Sequence, residues 1–368
     1  MRNDGDTTRP RATVTGWGSC LPPVKLTNAD LETILDTDDR WIVERTGIRE
    51  RGICHVETTD MAEVAARRAL AAAGIDPVDI DLLVMATVTP EVTIPSNACV
   101  LQDRLGAVNA ASFDLNAACS GFVYGTTMAH SMIATGAARR ALVVGAEKLH
   151  WVMDYADRST CILFGDGAGA AVYQASTRGD GVLATDLGSD GSSGSIMVTE
   201  IFGSKGGVSA NRDPARSQLH FEGQAVFKMA VRFMTDSVNR TLERASLTID
   251  DVAVLIPHQA NARIIEATGR RLGIDPDRVI VNIHETGNTA AASIPIALSR
   301  AVDAGLIAPG DVVVLTAFGG GVTWGSVVLR WSDRVTPLAT CDAELPPTRA
   351  TAFDLIAPNL DFYAPLHH

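Results

Sequence analysis

Cys119, His258 and Asn288 supply a thiol, an imidazole and a carboxamide, and each stands where a strand-like run ends. Cys119 lies among small residues in "DLNAACSGFVYG" (residues 114–125), at a switch from strand to helix. A free cysteine there is either a buried filler or a nucleophile aimed into a cavity. The head of a helix carries unsatisfied N–H groups and a partial positive charge, which favour thiolate over thiol and would make this sulfur a competent acyl acceptor. His258 follows the helix-refusing Pro257 in "IPHQAN" and precedes polar Gln259 and Asn261, a setting that favours a site imidazole over a packed one. Asn288, in "ETGNTAAAS", is either a helix cap or a site amide, and the Ala and Gly beside it imply that something approaches closely.

Two glycine-rich stretches bear on the same chemistry. "AFGGGVTWG" (residues 317–325) follows a buried strand and lacks both the Lys-Ser/Thr ending and the helix of a phosphate loop. A turn of this kind can instead aim free backbone N–H groups at an oxyanion. "FGDGAGAAV" (residues 164–172) imitates GxGxxG but leads into a strand, which argues against dinucleotide binding.

The elements that must position these residues alternate helix with strand. "TTDMAEVAARRALAAAG" has a capped start, an Ala-rich interior and a Gly stop, and runs into the continuous apolar "DIDLLVMATVTP", the pattern of a parallel strand buried on both faces. The order predicts an α/β fold. It also repeats: "RRALAAAGIDPVDIDLLVMATVT" aligns with "NRTLERASLTIDDVAVLIPHQ", placing Leu70 over Leu242 and Asp79 over Asp251, and a further helix–strand pair and a pair of closing strands follow in the same order. Duplication is the reading, with halves at residues 12–180 and 181–331 between a polar leader, 1–11, and an appendage, 332–368, whose apolar end is expected to dock on the surface. The strands ending at "FDLNAAC" and "VIVNIHETGN" then become equivalent, so that Cys119 and Asn288 converge across a pseudo-twofold axis, with His258 delivered to the same face. Residues 188–217, rich in Gly, Ser, Asp and Asn, read as an irregular insertion.

The chain has 368 residues, 46% of them hydrophobic, enough for a sizeable core. No apolar run approaches the roughly 18 to 20 residues of a membrane helix, and the start lacks a signal-peptide core, so a cytoplasmic location is expected. Six cysteines without CxxC pairs argue against a zinc site or a disulfide framework. The formal net charge of −12 disfavours nucleic acid, and an acidic partner would need a local basic patch.

With these residues in place, the chain resembles the β-ketoacyl-acyl carrier protein synthase III family of the thiolase-like superfamily. The resemblance rests on "DDRWIVERTGIRERGI", "AACSGFVYG", "ILFGDGAGAAV", "PHQANARII", "ETGNTAAASIP" and "FGGGVTWG", in family order, from about residue 12 to 331. It implies a five-layer αβαβα sandwich of two duplicated halves in a homodimer. It implies that an acyl-CoA acylates Cys119, that His258 and Asn288 handle a malonyl-acyl carrier protein, and that the amides of Cys119 and Gly320 form the oxyanion hole. Trp41, Arg45 and Arg158 would hold the coenzyme A adenine and phosphates, with Asn261 a further contact; coenzyme A enters as a thioester substrate, and no resident cofactor or metal is implied. Lys228 and Arg263 would greet the acidic carrier protein. Ile94 and Phe318 would shape the acyl pocket, and Ile94, standing where the family often has a Phe that reaches across the dimer, predicts that longer or branched starters are accepted. The alternatives are a same-fold acyltransferase that works without decarboxylation, which needs a base that Asn288 cannot be, a Cys-His-Asn hydrolase, whose cysteine signatures are missing, and a non-catalytic scaffold, which would need none of the three residues intact.

Overall fold

The computed structural model describes residues 9–200 and 213–367; the start of the leader, the middle of the Gly-rich insertion and His368 lie outside the described residues. In chain order the strands are β1 (Arg11–Cys20), β2 (Val24–Thr27), β3 (Glu50–Ile53), β4 (Leu82–Ala86), β5 (Ala111–Leu115), β6 (Arg140–Glu147), β7 (Gly167–Ser176), β8 (Gly181–Ser189), β9 (Met197–Val198), β10 (His220–Phe221), β11 (Val252–Pro257), β12 (Val312–Gly319) and β13 (Thr323–Arg330). Two sheets dominate, ordered β1-β7-β6-β4-β5 and β11-β12-β13-β8. In the first, β5, β4 and β6 run parallel, β7 lies antiparallel to β6, and β1 lies antiparallel to β7. The second repeats the plan, with β11 parallel to β12 and then antiparallel β13 and β8.

The period-two pleat explains how each sheet buries both faces. Val143 of β6 faces the middle of the molecule, where it meets Phe122 and Ile133 of the helix Gly121–Ala134 and Ala297 and Leu298 of the helix Ser293–Asp303, together with Val313 and Leu315 of β12. Its neighbours Leu142 and Val144 face outward onto Ala62, Ala65 and Ala69 of the helix Thr58–Ala73. On the far side, Val314 and Val328 pack against Val238 and Leu242 of the helix Gly223–Arg244. Helices thus lie outside, between and outside the two sheets, which makes five layers.

The expected strand through "VIVN" does not form. Only Val279 pairs, through a single parallel bridge to Leu255, in the place that β5 holds in the first sheet. Pro257, the β11 residue in register with Ile280 O, has no N–H to give, and the buried Gln259 side chain stands in, its Nε2 donating to Ile280 O at 3.0 Å while its Oε1 accepts from Asn282 N at 2.9 Å. A side chain takes the bonds that a strand partner would have used.

The two halves interlock at two glycines. A Cβ on Gly145 of β6 would lie 2.3 Å from Ala291 O, and one on Gly319 of β12 would lie 2.7 Å from Cys119 N. Each half therefore closes on the turn that carries the other half's key residues. Gly145→Ala is expected to destabilise the protein by about 2 kcal/mol through backbone displacement, measured as a lower urea midpoint. Gly191→Ala, at a glycine with nothing within 4 Å, should leave the midpoint unchanged.

Candidate active site

Cys119 sits in the one-turn segment Ala118–Ser120, which continues directly into the helix Gly121–Ala134. Asn116 Oδ1 accepts from Ala118 N at 3.2 Å, and Ala118 takes the left-handed backbone with φ at +47°. The second half builds the same device: Asn288 Oδ1 accepts from Ala290 N at 2.9 Å, and Ala290 has φ at +42° before the turn Ala290–Ala292 and the helix Ser293–Asp303. The internal repeat thus pairs Asn288 with Asn116 and Cys119 with Ala291, not Cys119 with Asn288. The two residues still converge, because the twofold-related turns pack together at the centre of the molecule.

Cys119 borders two cavities. The first, of about 540 Å³, is lined by His258, Asn288 and Phe318 deep inside and by Trp41, Arg45, Asn261, Lys228 and Arg263 toward its mouth. The second, of about 820 Å³, is lined by residues 87–93, Asn116, Leu149, Trp151, Val152, Met153 and Gly320. Phe318 lines the first cavity and not the second, while Ile94, expected to reach across a dimer, lines neither cavity of its own chain and is 87% exposed. The reason is the path of the chain: the segment leaving β4 passes the cavity at residues 87–93 and has left it by Ile94. Arg158 also lies outside both linings, yet it belongs to the mouth, with its guanidinium carbon 4.5 Å from the Trp41 ring centroid and that of Arg45 at 4.1 Å. Asn261 caps the helix Ala262–Leu272 through its Oδ1 and donates from Nδ2 to Arg45 O at 3.0 Å, so it fixes the backbone beneath this stack.

The thiol environment differs from the sequence expectation. Burial, reinforced by the nearby Glu147 carboxyl, pushes the Cys119 thiol up to about 12, against a weaker downward pull from its own backbone N–H. Desolvation outweighs the helix head. The same burial pushes His258 down to about 3, so its imidazole is neutral throughout the physiological range. Its Nδ1 lies 2.6 Å from Ser293 Oγ, which also accepts from Gln259 N at 3.3 Å. The Ser293 hydroxyl proton has no acceptor other than Nδ1 among the described residues, and donating it there assigns the ring proton to Nε2. Asn288 is held by its backbone, with N donating to Leu163 O at 2.8 Å and O accepting from Gly165 N at 3.1 Å. With Oδ1 engaged by Ala290, its NH2 group has no hydrogen-bond partner among the described residues. The first cavity therefore offers two N–H donors and no base. Among the described residues, no group of three or more His, Cys, Asp or Glu is placed to hold a metal ion.

The sequence reading missed Ser293, Glu147, Asn116 and the wall at residues 149–153. Glu147 is fully buried, accepts from Thr89 Oγ1 at 2.8 Å and Val88 N at 3.0 Å, and is pushed up to about 7 by desolvation. Asn116 was recoverable from the internal repeat, since it stands 172 residues before Asn288, the offset already found between Leu70 and Leu242.

Twin α/β halves meeting at a cysteine on a helix head define a thiolase-like enzyme of the condensing type. Family models described as 3-oxoacyl-[acyl-carrier-protein] synthase III and its C-terminal part match residues 113–191 and 242–331. A β-ketoacyl-[acyl-carrier-protein] synthase III 2 of Vibrio cholerae is 44% identical over 94% of this chain and 95% of its own. The crystal structure of 3-oxoacyl-[acyl-carrier-protein] synthase III from Aquifex aeolicus superposes with a TM-score of 0.82 at 44% identity, covering 87% of this chain and all of that one. That of the priming β-ketosynthase from the R1128 polyketide biosynthetic pathway gives a TM-score of 0.83 at 37% identity over 89% of this chain and 98% of its own. The chain belongs to the β-ketoacyl-acyl carrier protein synthase III family.

A thiol held well above neutral reacts in proportion to its small thiolate fraction. Alkylation of Cys119 by iodoacetamide is expected to accelerate about tenfold per pH unit between pH 7 and 9, followed by mass spectrometry of the Cys119 peptide. A plateau already reached at pH 7 would show a preformed thiolate.

Proposed function

We propose that the enzyme joins an acyl group, delivered as a coenzyme A thioester, to the malonyl group of an acyl carrier protein with loss of CO₂, so initiating a fatty acid or polyketide chain. The observation that carries this reading is the position of Cys119 at the boundary of two cavities, one with two N–H donors and a basic mouth, the other large enough for a parked acyl chain. In the first step the Cys119 sulfur bonds to the acyl carbonyl carbon, the bond from that carbon to the coenzyme A sulfur breaks, and the thiol proton leaves on the released coenzyme A. The amides of Cys119 and Gly320 bind the transient oxyanion. In the second step the malonyl carboxylate departs as CO₂, and its electron pair collects on the thioester oxygen, where His258 Nε2–H and Asn288 Nδ2–H receive it. The enolate carbon then attacks the acyl carbonyl, the bond to Cys119 breaks, and the sulfur regains a proton from solvent.

Two neutral donors suit this second step because the developing charge needs stabilising and no proton has to be removed. A transfer to a hydroxyl or amine without decarboxylation would need a base, and an amide and a low-pKa imidazole with its ring proton on Nε2 do not provide one. Trp41, Arg45 and Arg158 offer a ring and two guanidinium planes to a purine and its phosphates. Lys228 and Arg263 at the mouth give an otherwise acidic chain a place for an acidic carrier. The open edge of β5, with exposed Val92, Ile94 and Val198 nearby, suits a second copy of the chain. Six free thiols fit a cytoplasmic location, and among the described residues no helix is long and apolar enough to cross a membrane.

Incubation with an acyl-CoA should add one acyl mass to the intact protein, and Cys119→Ala should abolish it; an adduct that survives this substitution would overturn the mechanism. Isobutyryl and hexanoyl CoA should acylate as readily as acetyl CoA, because the second cavity far exceeds the needs of an acetyl group. His258→Ala should slow malonyl decarboxylation by roughly 10²–10³, the usual cost of one oxyanion donor, while leaving acylation of Cys119 intact.

A further inference from the structure

The match to the family model ends at residue 331, yet the chain continues across the body of the protein and finishes in a helix, Ala352–Tyr363. Ile356 of that helix is fully buried in the cluster that also contains Cys119, Leu149, Val152 and Met153. Asn359, itself buried, donates from Nδ2 to His150 O at 3.0 Å and to Met153 O at 2.9 Å. The Tyr363 hydroxyl lies 3.2 Å from both Val152 O and Ser217 O, and His367 Nε2 lies 2.9 Å from Asp154 Oδ2, which also accepts from Gln218 Nε2. The helix thus clamps two segments at once. One is the turn at residues 149–153, which supplies Leu149, Trp151, Val152 and Met153 to the second cavity, and the other is the stretch leading to Leu219, which lines it too.

We propose that the C-terminal helix is a specificity element, in which Asn359 and Tyr363 act as positioning residues that fix the wall of the acyl cavity at residues 149–153. This inference rests on the reading of the second cavity as the acyl site. A side chain that grips the carbonyls behind a wall settles how far the wall yields to an incoming chain without touching the sulfur or its donors. Removing the grip loosens the wall, so long and short acyl groups are discriminated less sharply, and the chemistry at Cys119 is unaffected.

The experiment compares the full chain with Asn359→Leu, Tyr363→Phe and a truncation after Ala350. Single-turnover acylation is followed by intact mass with acetyl, hexanoyl and decanoyl CoA, and alkylation of Cys119 by iodoacetamide reports the intrinsic reactivity of the sulfur. The ratio of hexanoyl to decanoyl rates is expected to change about tenfold in Asn359→Leu, as for the loss of buried hydrogen bonds, and less in Tyr363→Phe, with alkylation constant within twofold. Should the truncation fail to fold, the two point variants decide. Ratios equal to those of the full chain in folded variants overturn the inference while leaving the proposed reaction standing, as do ratios and alkylation that fall together. A full chain that forms no acyl adduct with any starter removes the reaction and this inference together.

Discussion

The closeness of two backbones at the centre of the molecule governs the rest. Gly145 lies under the turn at residues 290–292, and Gly319 lies under the turn at residues 118–120, each at a distance that leaves no room for a methyl group. Because each glycine belongs to one half and each turn to the other, neither half can present its functional residue without its twin. The nucleophile, the amide and the imidazole are therefore fixed by the packing of sheets and central helices, the most rigid part of the fold, and not by surface loops. The site exists only where the two halves are packed against one another.

That packing also sets the protonation states. A site this far from solvent holds a cysteine as thiol, a histidine as neutral imidazole and the Glu147 carboxyl near neutrality, because burial penalises whichever form carries charge. Such an environment is unsuited to resident ions and well suited to charges that appear only during reaction, where fixed N–H groups are strongest. In the proposed reaction the helix head would stabilise the oxyanion and the fleeting thiolate, with no stored charge in the resting state. Ser293 belongs to the same arrangement, since it selects the tautomer that makes His258 a donor.

Much of this was legible in the sequence. The duplication showed because helix, short turn and strand recur with matched apolar positions, and the structure places the one-turn helices Pro77–Asp79 and Ile249–Asp251 at the corresponding points. Cys119, His258 and Asn288 were each marked by local composition, and all three border the first cavity. What failed depended on tertiary contact. Beside Val279 a glutamine side chain stands in for a strand partner, the thiol was raised by burial that no window of sequence reports, and the wall at residues 149–153 comes from a short turn with no periodicity. The equivalence of Asn116 with Asn288 was present in the letters and was missed because the cysteine drew the alignment to itself.

Cys119 stands in the partition between two rooms, and the room holding the donors has a mouth ringed by Trp41, Arg45, Lys228 and Arg263. In the proposed cycle the nucleotide-bearing donor and the carrier arm both use this mouth, and so they take turns. The parked acyl group waits next door while the doorway empties. In that cycle, coenzyme A still held at the mouth would stand where the carrier arm has to enter, so its departure has to come before the second half-reaction.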